Sequence, residues 1–107
     1  MVENQTLIKQ KVQAFLASAG SELSIKKGLL FGSWAKGTAR KDSDIDVAVV
    51  VNCDDHAKRV NITSKLFHYA FPVDSRIEPK CVFWDEYQNP DPASILSEIL
   101  RTGIEVV

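Results

Sequence analysis

Asp44 and Asp46 flank Ile45 at the start of an apolar run that ends at Val51. Side chains alternate along a strand, so both carboxylates lie on one face and Ile45 on the other. Two like charges held this close raise one pKa strongly unless a cation neutralises them, so the pair calls for a hard divalent ion such as Mg²⁺. Upstream, Gly32-Ser33 follows the apolar run Gly28-Leu29-Leu30-Phe31 and should open a short helix through Lys36. Backbone N–H groups and the Ser33 hydroxyl could receive a phosphate there, and glycine lets it approach the backbone. Lys36, Arg40 and Lys41 lie in the loop between the two features, where cations could hold triphosphate oxygens. Each feature has a plainer reading alone: a solvated turn, a strand end, surface charge. Their order is more specific. A strand, Gly-Ser, ten residues from Trp34 to Ser43, then Asp-x-Asp opening a buried strand describe a site for a metal-bound nucleoside triphosphate. The chain has neither GxxxxGK[ST] nor GxGxxG.

The elements that must position these residues follow from periodicity. Leu7, Ile8, Val12, Phe15, Leu16 and Ala19 recur at helical spacing, with Asn4 as N-cap and Gly20 as stop, which predicts a helix over residues 5–19. The run 28–32 reads as a buried strand, and Ile45–Val51 as a central strand covered on both faces. Asp54 or Asp55 caps a helix reaching Tyr69, with Val60, Phe67 and Ala70 inward and Pro72 marking its end. Residues 75–84 form a third strand. Pro79 cannot donate to a ladder, so this strand is an edge or is bulged there. Trp84 to Tyr87 close it into a loop. Asp91-Pro92 starts a last helix with the stripe Ile95, Leu96, Ile99 and Leu100, stopped by Gly103. The fold class is α/β, a small mixed sheet with helices packed on it.

With 107 residues and 45% hydrophobic content, the chain should form a single domain over 1–107 with one core. Its 13 Lys+Arg against 14 Asp+Glu give a net charge of -1, against a whole-surface nucleic-acid binder, so no direct DNA binding is expected. The longest apolar run, Ile45 to Val51, is far short of the ~20 residues of a membrane span, and Met1 to Thr6 is polar rather than a signal peptide. A cytoplasmic protein is expected. Cys53 and Cys81 lie 27 residues apart with no CxxC or Cys/His grouping, and are expected to be buried thiols. Trp34 could stack on a base, cover the site or pack beside the turn.

Gly32-Ser33, Ala35, Gly37 and Ser43-Asp44-Ile45-Asp46 with its apolar continuation resemble the GSxAxG(x)nSDID signature of DNA polymerase β-type nucleotidyltransferases, specifically the minimal nucleotidyltransferase (MNT) domains. The resemblance covers nearly the whole chain. It implies a polymerase β palm-like fold and nucleotidyl transfer from ATP with two Mg²⁺ ions, about 4 Å apart in such sites. By the same resemblance Asp44 and Asp46 match the metal-binding pair, and Gly32 and Ser33 the nucleotide phosphate-binding turn. A third carboxylate is implied on a later strand. Asp74, Arg76 and Glu78 share a face there, and Glu78 is favoured over Asp74 because it sits inside the apolar strand. Aspartate is commoner at this position in the family, so Glu78 is a departure.

The resemblance further implies a Mg²⁺-dependent enzyme moving AMP from ATP to an acceptor hydroxyl. Minimal domains often pair with a helical HEPN toxin and act as antitoxins by adenylylating it, so a HEPN-type partner protein is implied. Larger relatives carry an extra domain to bind acceptor or base that this sequence does not show, so something else must complete the site; a homo-oligomer is left open. The alternative is a non-catalytic antitoxin or nucleotide-binding regulatory module that acts by holding its partner.

Overall fold

The computed structural model describes residues 4–107; part of the polar start from Met1 lies outside them. Helix α1 (Gln5–Ala19) opens where Asn4 Oδ1 accepts from the Leu7 N–H at 2.9 Å, and Gly20 caps its other end. Its buried stripe is Ile8, Val12, Phe15, Leu16 and Ala19, as the periodicity predicts. Strand β1 (Ile25–Phe31) starts three residues before the predicted apolar run. A short helix α2 (Ser33–Lys36) leads through the loop to β2 (Ile45–Val51).

The predicted 54–69 helix is split. Asp55 caps a 3₁₀ turn, His56–Lys58, by accepting from the Ala57 N–H, and helix α3 (Arg59–Ala70) follows. Its buried side is Ile62, Leu66 and Ala70, whereas Val60 is 82% and Phe67 44% exposed, against the expected inward Val60 and Phe67. The continuous i, i+4, i+8 stripe Ile62, Leu66 and Ala70 packs on the core and leaves Val60 and Phe67 off it, while the Arg59 guanidinium lies 2.8 Å from the Cys81 carbonyl and 2.7 Å from Glu86. Strand β3 (Ile77–Phe83) is followed by helix α4 (Trp84–Gln88) in place of the expected loop. The Glu86 carboxylate accepts from the Phe83 N–H at 3.0 Å and closes its first turn. Asp91-Pro92 forms a turn before the last helix, α5 (Ile95–Thr102): the Asp91 carbonyl accepts from Ser94, and Ser94 is the actual N-cap, its Oγ accepting from the Ser97 N–H. After Gly103 a two-residue strand, β4 (Ile104–Glu105), completes the sheet.

The sheet order is β3-β2-β1-β4, with β1 antiparallel to both β2 and β4, and β2 parallel to β3. Strand β2 is central. Ile45, Val47, Val49 and Val51 face α1 and α3; Ala48 and Val50 face the opposite cluster, formed with Leu29, Val82 and Ile99. Pro79 lies on edge strand β3 opposite Val47, in unbroken register, so the edge and not a bulge accommodates it. Cys81 is buried but Cys53 only half-buried, a correction to the expected pair of buried thiols. Among the described residues no helix is long and apolar enough to cross a membrane.

Candidate active site

The site lies where β1 ends and the parallel pair β2 and β3 begins. Gly32 leaves β1 at φ +73°, a conformation L side chains rarely adopt, and caps α2. A Cβ there would stand 2.3 Å from Asp46 Oδ2, so only glycine lets the turn lie against that carboxylate. Gly37, at φ +77°, ends α2, and its successor Thr38 donates to the Ser33 carbonyl at 3.0 Å. Ser33 therefore sits at the opening of a helix, the end where N–H groups lack intrahelical acceptors.

Asp46 is directly opposite Phe31 on β1 and in register with Glu78 on β3. Asp44 precedes β2 and is exposed, while Ile45 between the two acids is fully buried in the opposite layer. The alternation thus places both acids away from the α1 side. Burial first, then the charge of Asp44, pushes the Asp46 pKa up. For Glu78 the Asp44 charge acts first, followed by burial, a hydrogen bond with the Asp44 carboxyl and the Asp46 charge, all raising its pKa. The three carboxyl groups feel one another across the β2–β3 boundary.

Three carboxylates are the hard oxygen donors Mg²⁺ takes, and their repulsion is the kind a divalent ion relieves, so the residues present fit such an ion. They are not a preformed cage: among the described residues no group of three or more His, Cys, Asp or Glu side chains is gathered to hold a metal. A cleft of about 440 Å³ opens from Asp46 and Glu78 along β3 to Arg59 and Thr63, with Ile95 and Ile99 on its α5 wall. Lys36 lines a smaller hollow of about 130 Å³ beside Gly32, against Glu98 and Thr102. Arg40 and Lys41 are exposed on the intervening loop, where the Arg40 N–H donates to Ser43 Oγ at 2.8 Å.

Asp74, the other candidate for the third acid, is engaged elsewhere. Its carboxylate takes 3.0 Å and 2.7 Å hydrogen bonds from the Arg76 guanidinium and a 2.9 Å ion pair from Lys11, which hold its pKa far below the usual carboxylate range. Trp34 is 8% exposed and packs in the core, its Nε1 donating to the Ser43 carbonyl at 3.2 Å. Arg76 is the residue sequence reasoning passed over. Its Nη1 donates to the Lys41 carbonyl at 2.6 Å and its own carbonyl accepts from the Ile45 N–H at 2.8 Å. Alternation with Glu78 was the only signal, and it says nothing of a contact 35 residues back.

Comparison with known proteins gives the fold and the family. A structure of a toxin–antitoxin with AMP-PNP is similar over 92% of this chain and 72% of that one, at 21% identity and a TM-score of 0.59. A protein from Sulfolobus solfataricus proposed to be a nucleotidyltransferase is similar over 94% and 80%, at 13% identity and a TM-score of 0.63. A chain from the tri-AMPylated Shewanella oneidensis HEPN toxin in complex with MNT antitoxin is similar over 96% and 71%, at 20% identity and a TM-score of 0.52. At these identities the likeness is one of fold. No curated protein sequence matches the chain. The family model described as Polymerase beta, Nucleotidyltransferase matches residues 10–107, nearly the whole chain and all of the site, and on that match the chain belongs to the polymerase beta nucleotidyltransferase family.

Proposed function

We propose that this chain transfers AMP from ATP to a hydroxyl of a partner protein, with a HEPN-type toxin as the partner and an antitoxin role as the consequence. The observation that carries the reading is Asp46 in register with Glu78 on adjoining strands and Glu78 hydrogen-bonded to Asp44, with the Gly32 turn pressed against Asp46. In this reading the three carboxylates hold Mg²⁺, which when bound supplies charge neutralisation to the triphosphate and activation of the acceptor hydroxyl. Gly32 and Ser33 present backbone N–H groups and a hydroxyl to the phosphates. Lys36, beside Gly32, and the exposed Arg40 and Lys41 balance the remaining phosphate charge. The cleft along β3 leaves room for an acceptor side chain next to Asp46 and Glu78. The toxin–antitoxin with AMP-PNP and the tri-AMPylated toxin complex, both similar in fold, support the nucleotide and the acceptor class.

A second reading, partner binding without transfer, draws on Val60, Phe67 and Phe71, apolar side chains exposed on or just after α3. One experiment separates the two. Label from α-labelled ATP is followed in an extract of the source cells with wild-type chain or Asp46→Asn, with Mg²⁺ or with chelator. A Mg²⁺-dependent labelled protein absent with the variant supports transfer. No label with any nucleotide, while the chain still captures its partner, leaves only binding.

A further inference from the structure

We infer that Arg76 is a positioning residue that clamps the 37–44 loop and thereby sets Asp44 relative to Asp46 and Glu78. The inference rests on the metal-carboxylate reading above for its consequence, but its geometry stands apart from it. Asp44 precedes β2, outside the ladder that fixes Asp46 opposite Phe31 and Glu78. The ladder holds the chain only from Ile45 onward and Glu78 reaches only the Asp44 carboxyl, so the loop side needs its own anchor. Arg76 meets this stretch at two points: the guanidinium reaches the Lys41 carbonyl within the loop, and the Arg76 carbonyl takes the N–H of Ile45 as the first bond of the β2–β3 ladder, so the guanidinium is the contact that the side chain adds. Between these points the Trp34 indole holds the Ser43 carbonyl at 3.2 Å, and the guanidinium carbon lies 5.8 Å from that indole's centre.

The clamp is itself held. Asp74 receives Arg76 Nε and Nη2 in a fork and Lys11 on the same carboxylate, with the Asp74 side chain only 9% and that of Arg76 19% exposed. A planar guanidinium satisfies Asp74 with two nitrogens and still aims the third at Lys41, which the single ammonium of lysine cannot do. Arg76→Lys therefore keeps the charge beside Asp74 and releases the loop.

The test uses trypsin and Mn²⁺. The Lys41–Asp42 bond is a tryptic site whose carbonyl is the one Arg76 holds. Arg76→Lys and Arg76→Ala are compared with wild type and with Ile62→Ala, a core variant on α3 that lowers stability without touching the loop. Cleavage after Lys41 and the Mn²⁺ dissociation constant are both measured, with melting temperature as the check on folding. Arg76→Lys is expected to melt near wild type, to be cut about 10-fold faster and to bind Mn²⁺ about 10-fold more weakly, the scale typical of lost supporting contacts around a metal site. Ile62→Ala should melt lower with Mn²⁺ affinity unchanged. Cleavage and affinity at wild-type levels in Arg76→Lys, or losses no larger than those of Ile62→Ala, would overturn the inference. A wild-type chain that binds no Mn²⁺ removes the metal reading, and loop cleavage in Arg76→Lys then decides the clamp by itself.

Discussion

At the scale of single residues the site depends on groups that only fit in one way. Gly32→Ala puts a Cβ at 2.3 Å from Asp46 Oδ2 on a backbone at φ +73°, so it is expected to cost about 1–3 kcal/mol and to displace the Asp46 carboxylate. Urea unfolding of the variant checks the first part; a variant as stable as wild type contradicts it. Asp74 gives a pH signature. Hydrogen bonds from Arg76 foremost, with Lys11 adding to them, keep its folded pKa far below the unfolded value of about 3.9. The stability it contributes is therefore present above pH about 4 and is lost as pH falls below that. Wild type and Asp74→Asn should differ in stability at pH 7, and the difference should shrink steadily as the pH falls below about 4. A constant difference from pH 7 to 2 would show that the carboxylate is not held as described. Asp44, Asp46, Gly32 and Ser33 could be grouped as candidates from the sequence because they lie close together in the chain. Arg76 could not, because its contacts with Lys41 and Trp34 arise only from the tertiary fold.

At the scale of elements, α3 shows how a buried stripe orients a helix. With Arg59 tied to the Cys81 carbonyl, the i, i+4, i+8 stripe Ile62, Leu66, Ala70 meets the sheet. Ile62→Ala is expected to lose about 2–4 kcal/mol, whereas Val60→Ser, at an 82% exposed site, should stay within about 0.5 kcal/mol in denaturant titrations. The opposite ranking would mean that Val60 is the inward residue. The long amphipathic α1 and the apolar β2 were legible because a strong period and a continuous run leave little choice. The rotation of α3 was not, since Val60, Ile62, Leu66 and Phe67 offer two competing stripes and only packing against the sheet selects one. Helix α4 was missed for a related reason: its first turn closes through the Glu86 carboxylate on the Phe83 N–H, and no standard N-cap residue announces it. Pro79 was informative at once, because a missing donor restricts a strand to an edge wherever the rest of the chain goes.

At the scale of the whole molecule, the chain pairs strands that are not all consecutive in sequence: β4 returns from the far end to flank β1, and β2 lies parallel to β3 through the α3 crossover. The parallel pairing is what brings Glu78 level with Asp46, and the antiparallel β1 is what delivers Gly32 to the same end. Hydrophobic patterning supplied β1, β2 and β3 but not their order, and it missed β4, which pairs with β1 through only two residues and so leaves no periodic signal. The claim that all three acids form one working site is tested most directly by transfer of label from α-labelled ATP in source-cell extract, using wild type, Asp44→Asn, Asp46→Asn and Glu78→Gln, each checked for its melting temperature. Each folded variant is expected to lose transfer by about 10²-fold or more, the loss usual when a charge-stabilising group is removed from a reacting centre. Wild-type transfer in folded Glu78→Gln, with the two aspartate variants inactive, would contradict the three-acid site and move the third ligand elsewhere.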